Sequence, residues 1–237
     1  MLINSDERRH AWMDEGFNSF INYYAGLERY PDDPGAKHRR GNARDFAGSM
    51  TEGHQQPMDT IADYIWRGRL GTLEYAKTAT AMVLLREVVL GPERFDAAFH
   101  RYLSAWAFKS PQPADFFRCM EDGAGMDLSW FWRGWFLETG KLDQAVTEVT
   151  TSKDGKGGGN ILVTFTNKGE LVMPGEFKVT YADGTSEVRK LPVEVWATTN
   201  QWTAMWEAGG RTVVSVELDP DGVLPDVDLS NNVWKAK

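Results

Sequence analysis

The chain has 237 residues, 42% of them hydrophobic and 25% charged, which suffices for one large or two modest globular domains. Its formal net charge of −8 argues against nucleic acid or an anionic membrane surface as the main partner, because both attract clustered lysine and arginine. One cysteine, Cys119, cannot form an intramolecular disulfide, and no apolar run reaches the roughly 18 residues of a membrane span. Cytoplasmic, periplasmic and secreted locations all stay open.

The first 141 residues predict helices. Apolar side chains recur at three- and four-residue spacing over residues 9–27, which indicates the first helix. Residues 29–42 contain two prolines and two glycines and predict a loop, and residues 59–66 predict a short helix. A long helix is expected to begin at a Thr72 N-cap and to end near Leu90. Further helices are expected over residues 93–107, 113–123 and 127–140.

After Lys141 the pattern changes to short runs that alternate apolar and polar residues. Turn-forming segments such as "KDGKGGGN", "ADGT" and "AGGR" separate these runs. Six or seven strands at this spacing predict an antiparallel β-sandwich. The expected fold is therefore α+β and multidomain, with a mainly helical domain over residues 1–141 and a β-sandwich domain over residues 142–237.

An acidic pair lies inside the aromatic first helix, in "HAWMDEGFNSFINYYA". On a helical projection Glu15 shares one stripe with Asn18 and Asn22, while most of the aromatic residues lie on other sides. Periodicity alone therefore describes Glu15 as a solvated carboxylate on a polar helix face.

The segment "WMDEGFNSF" resembles the W-L-x-E-G-[FL]-x-x-[FY] motif of the aminopeptidase N family of zinc peptidases, the gluzincins. Three later segments, "EYAKTA", "FKSPQPADFF" and "DLSWFWRGWF", resemble further landmarks of that family in the same order. The resemblance covers residues 12–140, more than half of the chain. The strand-rich remainder fits the β domain that follows the catalytic domain in many members, although more loosely.

The resemblance implies roles for individual residues. In that family one zinc ion is held by the two histidines of HExxH and by a glutamate 19 positions after the second histidine, and Glu15 matches this glutamate. Tyr75, in "EYAK", matches the tyrosine whose hydroxyl stabilises the oxyanion of peptide hydrolysis. Asn18, one turn after Glu15, could brace its carboxylate.

The rest of such a site does not occur in these residues. Only 14 residues precede Glu15, and none of the four histidines (His10, His38, His54 and His100) belongs to an HExxH motif. Each is interpreted as a surface or capping histidine. We therefore expect the C-terminal part of a zinc aminopeptidase, truncated just after HExxH. The full-length enzyme would use zinc and act on peptides, whereas this chain alone would bind zinc weakly or not at all and would be inactive.

A second hypothesis is a non-catalytic, peptidase-like protein that binds a peptide or a partner. An HExxH motif encoded just upstream of Met1 would favour the enzyme, and a genuine start codon there would favour the binding protein. Truncation would also expose apolar surface near Phe17 and Phe20, where we expect self-association.

Two other features have structural interpretations. The acidic segment "DPDGVLPDVDLSNN" lacks the spacing of an EF-hand calcium loop and is attributed to turns. Four tryptophans of the β part, which could form a sugar-binding platform, are attributed to packing: Trp196, Trp202, Trp206 and Trp234.

Overall fold

The computed structural model describes residues 2–32, 43–152 and 159–236. The chain separates into two compact units, Met1–Gly140 and Lys141–Lys237. The first unit is helical and the second consists of β-strands, so the predicted α+β fold class is confirmed.

The helical unit contains six α-helices within the described residues. They are α1 (Trp12–Arg29), α2 (Ala43–Thr51), α3 (Thr78–Leu84), α4 (Pro92–Trp106), α5 (Pro113–Ala124) and α6 (Ser129–Trp132). Wider π-helical turns, Gly71–Lys77 and Leu85–Leu90, flank α3 on both sides, and Arg133–Leu137 continues α6. Residues 71–90 therefore form one continuous helical run, and π-helical turns of this kind occur frequently at functional sites.

Three predicted helices agree with α1, α4 and α5 to within a few residues. The helix predicted for residues 59–66 is wrong, because the segment forms the short 3-10 turns Ala62–Tyr64 and Arg67–Arg69. The Gln56 side chain stabilises these turns by bonding to the backbone at Tyr64 and Trp66. Helix α2 was not predicted, and the loop predicted for residues 29–42 falls largely outside the described residues.

The predicted limits of two helices also need correction. Thr72 is not an N-cap, because Leu70 is already helical, with φ −55° and ψ −52°, and the helical run begins at Gly71. The last helix ends at Leu137 rather than Gly140, because Glu138 adopts an extended backbone conformation.

Trp12 lies at the centre of the helical core and is fully buried. Its ring packs against four other aromatic rings at centroid distances of 4.8 to 6.2 Å: Phe17, Phe116, Phe117 and Phe136. Burial of such rings and their edge-to-face contacts stabilise the junction of α1, α5 and α6. Phe20 itself is 3% exposed and packs on Phe95 and Phe99, whereas its neighbour Ile21 is 48% exposed. Self-association stays a prediction.

The start of α1 is fixed by polar contacts around Asp59. The Trp12 indole Nε1 donates to Asp59 Oδ1 at 2.8 Å, and His10 Nδ1 lies 2.6 Å from the same oxygen. The backbone N–H of Asp59 donates to the carbonyl of Phe136 at 3.1 Å. His10 is therefore a partly buried bridging residue rather than a surface or capping histidine.

The second unit contains two antiparallel sheets, and its described strands are seven in number. The strands are β1 (Gln144–Thr151), β2 (Asn160–Asn167), β3 (Gly175–Tyr181), β4 (Ser186–Leu191), β5 (Gln201–Glu207), β6 (Val213–Leu218) and β7 (Val233–Lys235). One sheet has the order β1-β2-β5 and the other β4-β3-β6-β7. Phe165 of the first sheet contacts Phe177 of the second at a centroid distance of 4.7 Å, which places an aromatic core between them.

The acidic segment near the C-terminus uses its carboxylates to hold backbone turns. Asp219 accepts hydrogen bonds from the N–H groups of Val223 and Leu224. Asp226, which is 5% exposed, accepts from the N–H groups of Gln144 and Asp228. These bonds support the interpretation of this segment as structural.

The tryptophans of the β unit also make packing contacts. Trp202 stacks on Phe165 with an interplanar angle of 19°, and the Trp206 indole donates to the Tyr181 hydroxyl. Trp196 is 7% exposed and offers no open ring face. These contacts favour packing over a sugar-binding platform.

In the described part of the chain, no helix has both the length and the apolar character that crossing a membrane requires.

Asp59→Ala should lower the free energy of unfolding by about 1–3 kcal/mol, because the Trp12 indole loses its acceptor in a buried position. Urea unfolding of the wild-type chain and the variant would measure this change. The matched control is Asp63→Ala, which removes an exposed ion pair with Arg8 and should cost less than about 1 kcal/mol. Equal and small losses in both variants would contradict the proposed anchoring role.

Candidate active site

Glu15 lies in the first turn of α1 and is half-buried. Its backbone N–H donates to the carbonyl of Ala11 at 3.0 Å. Because the Trp12 and Asp59 contacts fix the start of the same helix, the backbone that carries Glu15 is held in one position. Asp14, its neighbour in sequence, is also half-buried.

Helix α1 lies very close to the helical run 71–90 at Gly16, the residue after Glu15. A Cβ atom added to Gly16 would lie 2.3 Å from the Cβ and Cγ2 atoms of Thr78, a distance at which real side chains overlap. Thr78 is fully buried, and its hydroxyl donates to the Met58 sulfur at 3.0 Å. The glycine of the "DEGF" segment is therefore required for this approach of two helices.

Tyr75 lies in the π-helical turn Gly71–Lys77 and is half-buried. It stands three residues before Thr78, on the helical run that contacts Gly16. The two residues matched by the sequence resemblance, Glu15 and Tyr75, are thus carried by two elements in direct contact.

Asn18 is exposed on α1. Within the described residues it forms no hydrogen bond to Glu15, and its bracing role stays a prediction.

A second carboxylate, which the sequence interpretation missed, lies beside this site. Glu74 is 4% exposed, and its Oε1 atom has no hydrogen-bond partner among the described residues. Burial raises the pKa of Glu74, and the nearby negative charge of Glu15 raises it further. Helical periodicity gave no signal for its burial, because an acidic residue in an amphipathic pattern normally faces solvent.

A buried lysine lies in the same π-helical turn. Lys77 is 5% exposed, and its ammonium group donates to the carbonyl of Glu138 at 3.3 Å. Burial, assisted by the positive charge of Arg69, lowers the pKa of Lys77 to about 8. Arg69 itself binds the Glu52 carboxylate and the carbonyl of Ser49.

A catalytic metal ion would need more ligands than the described residues bring together. Within the described ranges, no group of three His, Cys, Asp or Glu side chains lies close enough together to hold a metal. A catalytic zinc site takes three protein ligands. The carboxylate of Glu15 can supply one of these three ligands. The described residues therefore fit a zinc site as the source of one ligand, the carboxylate of Glu15.

Comparison with protein families gives a match to the peptidase family M1 domain over residues 2–135, more than half of the chain. A similar curated protein is aminopeptidase M1-A of Oryza sativa subsp. japonica, with 23% identity over 172 residues. The alignment covers 64% of this chain and 19% of the rice protein, so the chain spans about a fifth of that relative.

A similar fold occurs in the crystal structure of Legionella pneumophila aminopeptidase A in complex with aspartic acid. The TM-score is 0.56 at 15% sequence identity, and the match covers 92% of this chain and 24% of the Legionella chain. At this level of identity the structural match shows a similar fold.

Gly16→Ala should lower the free energy of unfolding by about 1–3 kcal/mol, because the new methyl group overlaps buried Thr78. Gly48→Ala in α2 is the matched control, since nothing lies within 4 Å of its added Cβ atom. It should stabilise the chain by about 0.5–1 kcal/mol, as expected for alanine replacing glycine in a helix. Urea unfolding that places both variants at or above wild-type stability would contradict the close approach.

The lowered pKa of Lys77 predicts a pH-dependent stability. The amine titrates near pH 8 in the folded chain and near the reference value of about 10.4 when unfolded. Between these values the unfolded chain binds more protons, so the free energy of unfolding should rise from pH 8 to pH 10, by up to about 3 kcal/mol.

Lys77→Met should remove this rise, and Lys109→Met, at an exposed lysine of the same unit, should leave it in place. Urea unfolding at several pH values measures the slope for each protein. A slope that persists unchanged in Lys77→Met would refute the assignment to Lys77.

Proposed function

This chain belongs to peptidase family M1, and from that premise we propose that it forms part of a zinc aminopeptidase active site. Residues 1–141 would be the C-terminal helical portion of the catalytic domain, and residues 142–237 a β-sandwich domain that follows it. The observation that carries the proposal is the contact of α1 with the π-helical turn Gly71–Lys77, because these elements carry Glu15 and Tyr75.

Glu15 would be the carboxylate ligand of the zinc ion. Its half-buried position on a fixed helix supports this role, since a ligand held in place loses little freedom on binding. The other two ligands and the general base would come from an HExxH motif, which these 237 residues do not contain. Bound zinc supplies Lewis acidity that polarises the scissile carbonyl group.

Tyr75 would act on the same carbonyl group. Its hydroxyl would donate a hydrogen bond to the carbonyl oxygen as negative charge develops there. The half-buried position of Tyr75 supports this role, because a hydrogen bond to developing charge is stronger where water is partly excluded. Asn18 would have only a supporting role, through the carboxylate of Glu15.

The substrate would be a peptide with a free amino terminus, cleaved at its first peptide bond. The groups that recognise the amino terminus in such enzymes belong to a segment that these residues do not include.

The 237 residues alone should accordingly bind less than one equivalent of zinc and should not hydrolyse an aminoacyl-amide substrate. Metal analysis and a fluorogenic assay would test this. Stoichiometric zinc together with turnover would contradict the proposal.

Tyr75→Phe tests the oxyanion role in a polypeptide in which an HExxH segment precedes these residues. We expect kcat to fall by a factor of about 10² to 10³ with little change in KM, because the lost hydrogen bond forms mainly in the transition state. Tyr64→Phe, at a side chain that is 75% exposed, is the control and should retain wild-type activity. Wild-type kcat in Tyr75→Phe would exclude the assigned role.

A further inference from the structure

Strand β5 lies at an edge of its sheet, and among the described residues no strand pairs with its outer side. Strand β2 pairs with the other side, where the Ala208 N–H donates to the Gly159 carbonyl and the Asn167 N–H donates to the Asn200 carbonyl. Backbone groups alternate in direction along a strand, so the odd-numbered residues of β5 direct their N–H and C=O groups away from β2. The residues that present such groups at the edge are Thr203, Met205 and Glu207.

This free edge has a defined length. At its start, the hydroxyl of Thr199 donates to the carbonyl of Gln201 and accepts from the N–H of the same residue, both at 3.1 Å. The outward groups of Gln201 are therefore already occupied. At its end, Gly209 adopts a positive φ of 57°, which turns the chain out of the strand. The groups available for pairing are those of residues 203–207.

The other edges of the two sheets carry features that protect natural sheets from edge-to-edge pairing. Strand β1 has an irregular register between Val146 and Glu148, β4 contains several charged side chains in "SEVRKL", and β7 has only three residues. Strand β5 has seven residues in unbroken register with β2, and its sequence "QWTAMWE" contains no proline or lysine. Its only charged residue, Glu207, stands at its end. Strand β5 is therefore the edge most open to another strand.

The side chains of β5 differ between its two faces. On the outer face Met205 is 65% exposed, an unusual exposure for a large apolar side chain in the middle of a strand. On the inner face the Trp206 ring packs against Phe177, and Ala204 is buried beside it. An exposed methionine between free backbone groups is suited to contact with another strand.

A second β5 strand, antiparallel to the first and related to it by a two-fold axis at Met205, satisfies both backbone and side chains. Each outward N–H then meets an outward C=O, with Met205 opposite its own copy and Thr203 opposite Glu207 of the second copy. The Thr203 hydroxyl can donate to that carboxylate, and the two glutamates do not face each other. On the inner face Trp206 lies beside Ala204 of the second copy, which sets a large side chain against a small one.

We propose that β5 pairs with β5 of a second copy of this chain, so that the two sheets join into one around a two-fold axis at Met205. An axis at Thr203 is disfavoured, because it would require the backbone groups of Gln201 that Thr199 occupies. The dimer is closed, since each copy uses its own β5 edge. The ladder is short, so the dimer is weak. The proposal concerns the β unit and does not depend on zinc binding by Glu15.

Sedimentation equilibrium of the 237-residue chain at concentrations up to about 1 mM tests the proposal. The wild-type chain should fit a monomer–dimer equilibrium. Met205→Pro removes an outward N–H and leaves the bonds to β2 in place, because proline is tolerated where the N–H faces away from the sheet. It should lower the association constant by a factor of about ten or more.

Two further variants make this measurement decisive. Met205→Lys places a charge opposite its own copy and should weaken association to the same extent, including the case in which the proline variant does not fold. Val233→Lys is the matched control, because Val233 is 40% exposed on β7, the edge strand of the other sheet. It should associate as the wild-type chain does.

Cross-linking tests the register. Met205→Cys is made in a Cys119→Ser background, which removes the natural cysteine. Opposite residues of a hydrogen-bonded antiparallel pair have Cα atoms about 5.5 Å apart, within the range of a disulfide. Mild oxidation should therefore give a covalent dimer, whereas Val233→Cys in the same background should stay monomeric.

Several results would overturn the inference. A wild-type chain that stays monomeric throughout the concentration range would refute the pairing. Undiminished association in Met205→Pro and Met205→Lys would place the contact elsewhere, as on the apolar surface near Phe17 that the sequence led us to expect. Oligomers that grow beyond the dimer would refute the two-fold arrangement, and a dimer in which Met205→Cys does not cross-link would refute the register.

Discussion

The contact between Gly16 and Thr78 is the constraint on which the candidate site depends. A side chain at position 16 would overlap buried Thr78, so only glycine allows α1 to lie this close to the helical run 71–90. Glu15 precedes Gly16 on one element, and Glu74 and Tyr75 precede Thr78 on the other. The distance between the two helices thus decides whether a carboxylate and a phenol can act on the same substrate group.

The surrounding structure keeps this contact in place. Trp12, packed among aromatic rings and bonded to Asp59, fixes the start of α1 three residues before Glu15. The bond from Thr78 to the Met58 sulfur connects the other side of the contact to the segment that carries Asp59. A rigid pair of helices suits catalysis, because small displacements of catalytic groups cost large factors in rate. The polar groups of the site are therefore positioned by apolar packing several residues away.

Local sequence patterns predicted α1, α4, α5 and the strands of the β unit well, because each has a clear apolar period and marked ends. They failed at residues 59–66, where contacts of the Gln56 side chain with the backbone favour 3-10 turns, and at Thr72, where the preceding turns already begin the helix. The sequence resemblance identified Glu15 and Tyr75 as candidates. Glu74 escaped notice because an acidic residue in an amphipathic pattern normally faces solvent, and only tertiary packing buries it.

Glu15 is proposed to provide a zinc ligand at the contact of α1 with the helical run. Anomalous diffraction at the zinc absorption edge, from crystals of a polypeptide that contains both an HExxH segment and these residues, tests it most directly. One anomalous peak is expected about 2 Å from a carboxylate oxygen of Glu15. A stoichiometric zinc peak at any other position, with Glu15 outside ligand distance, would contradict it.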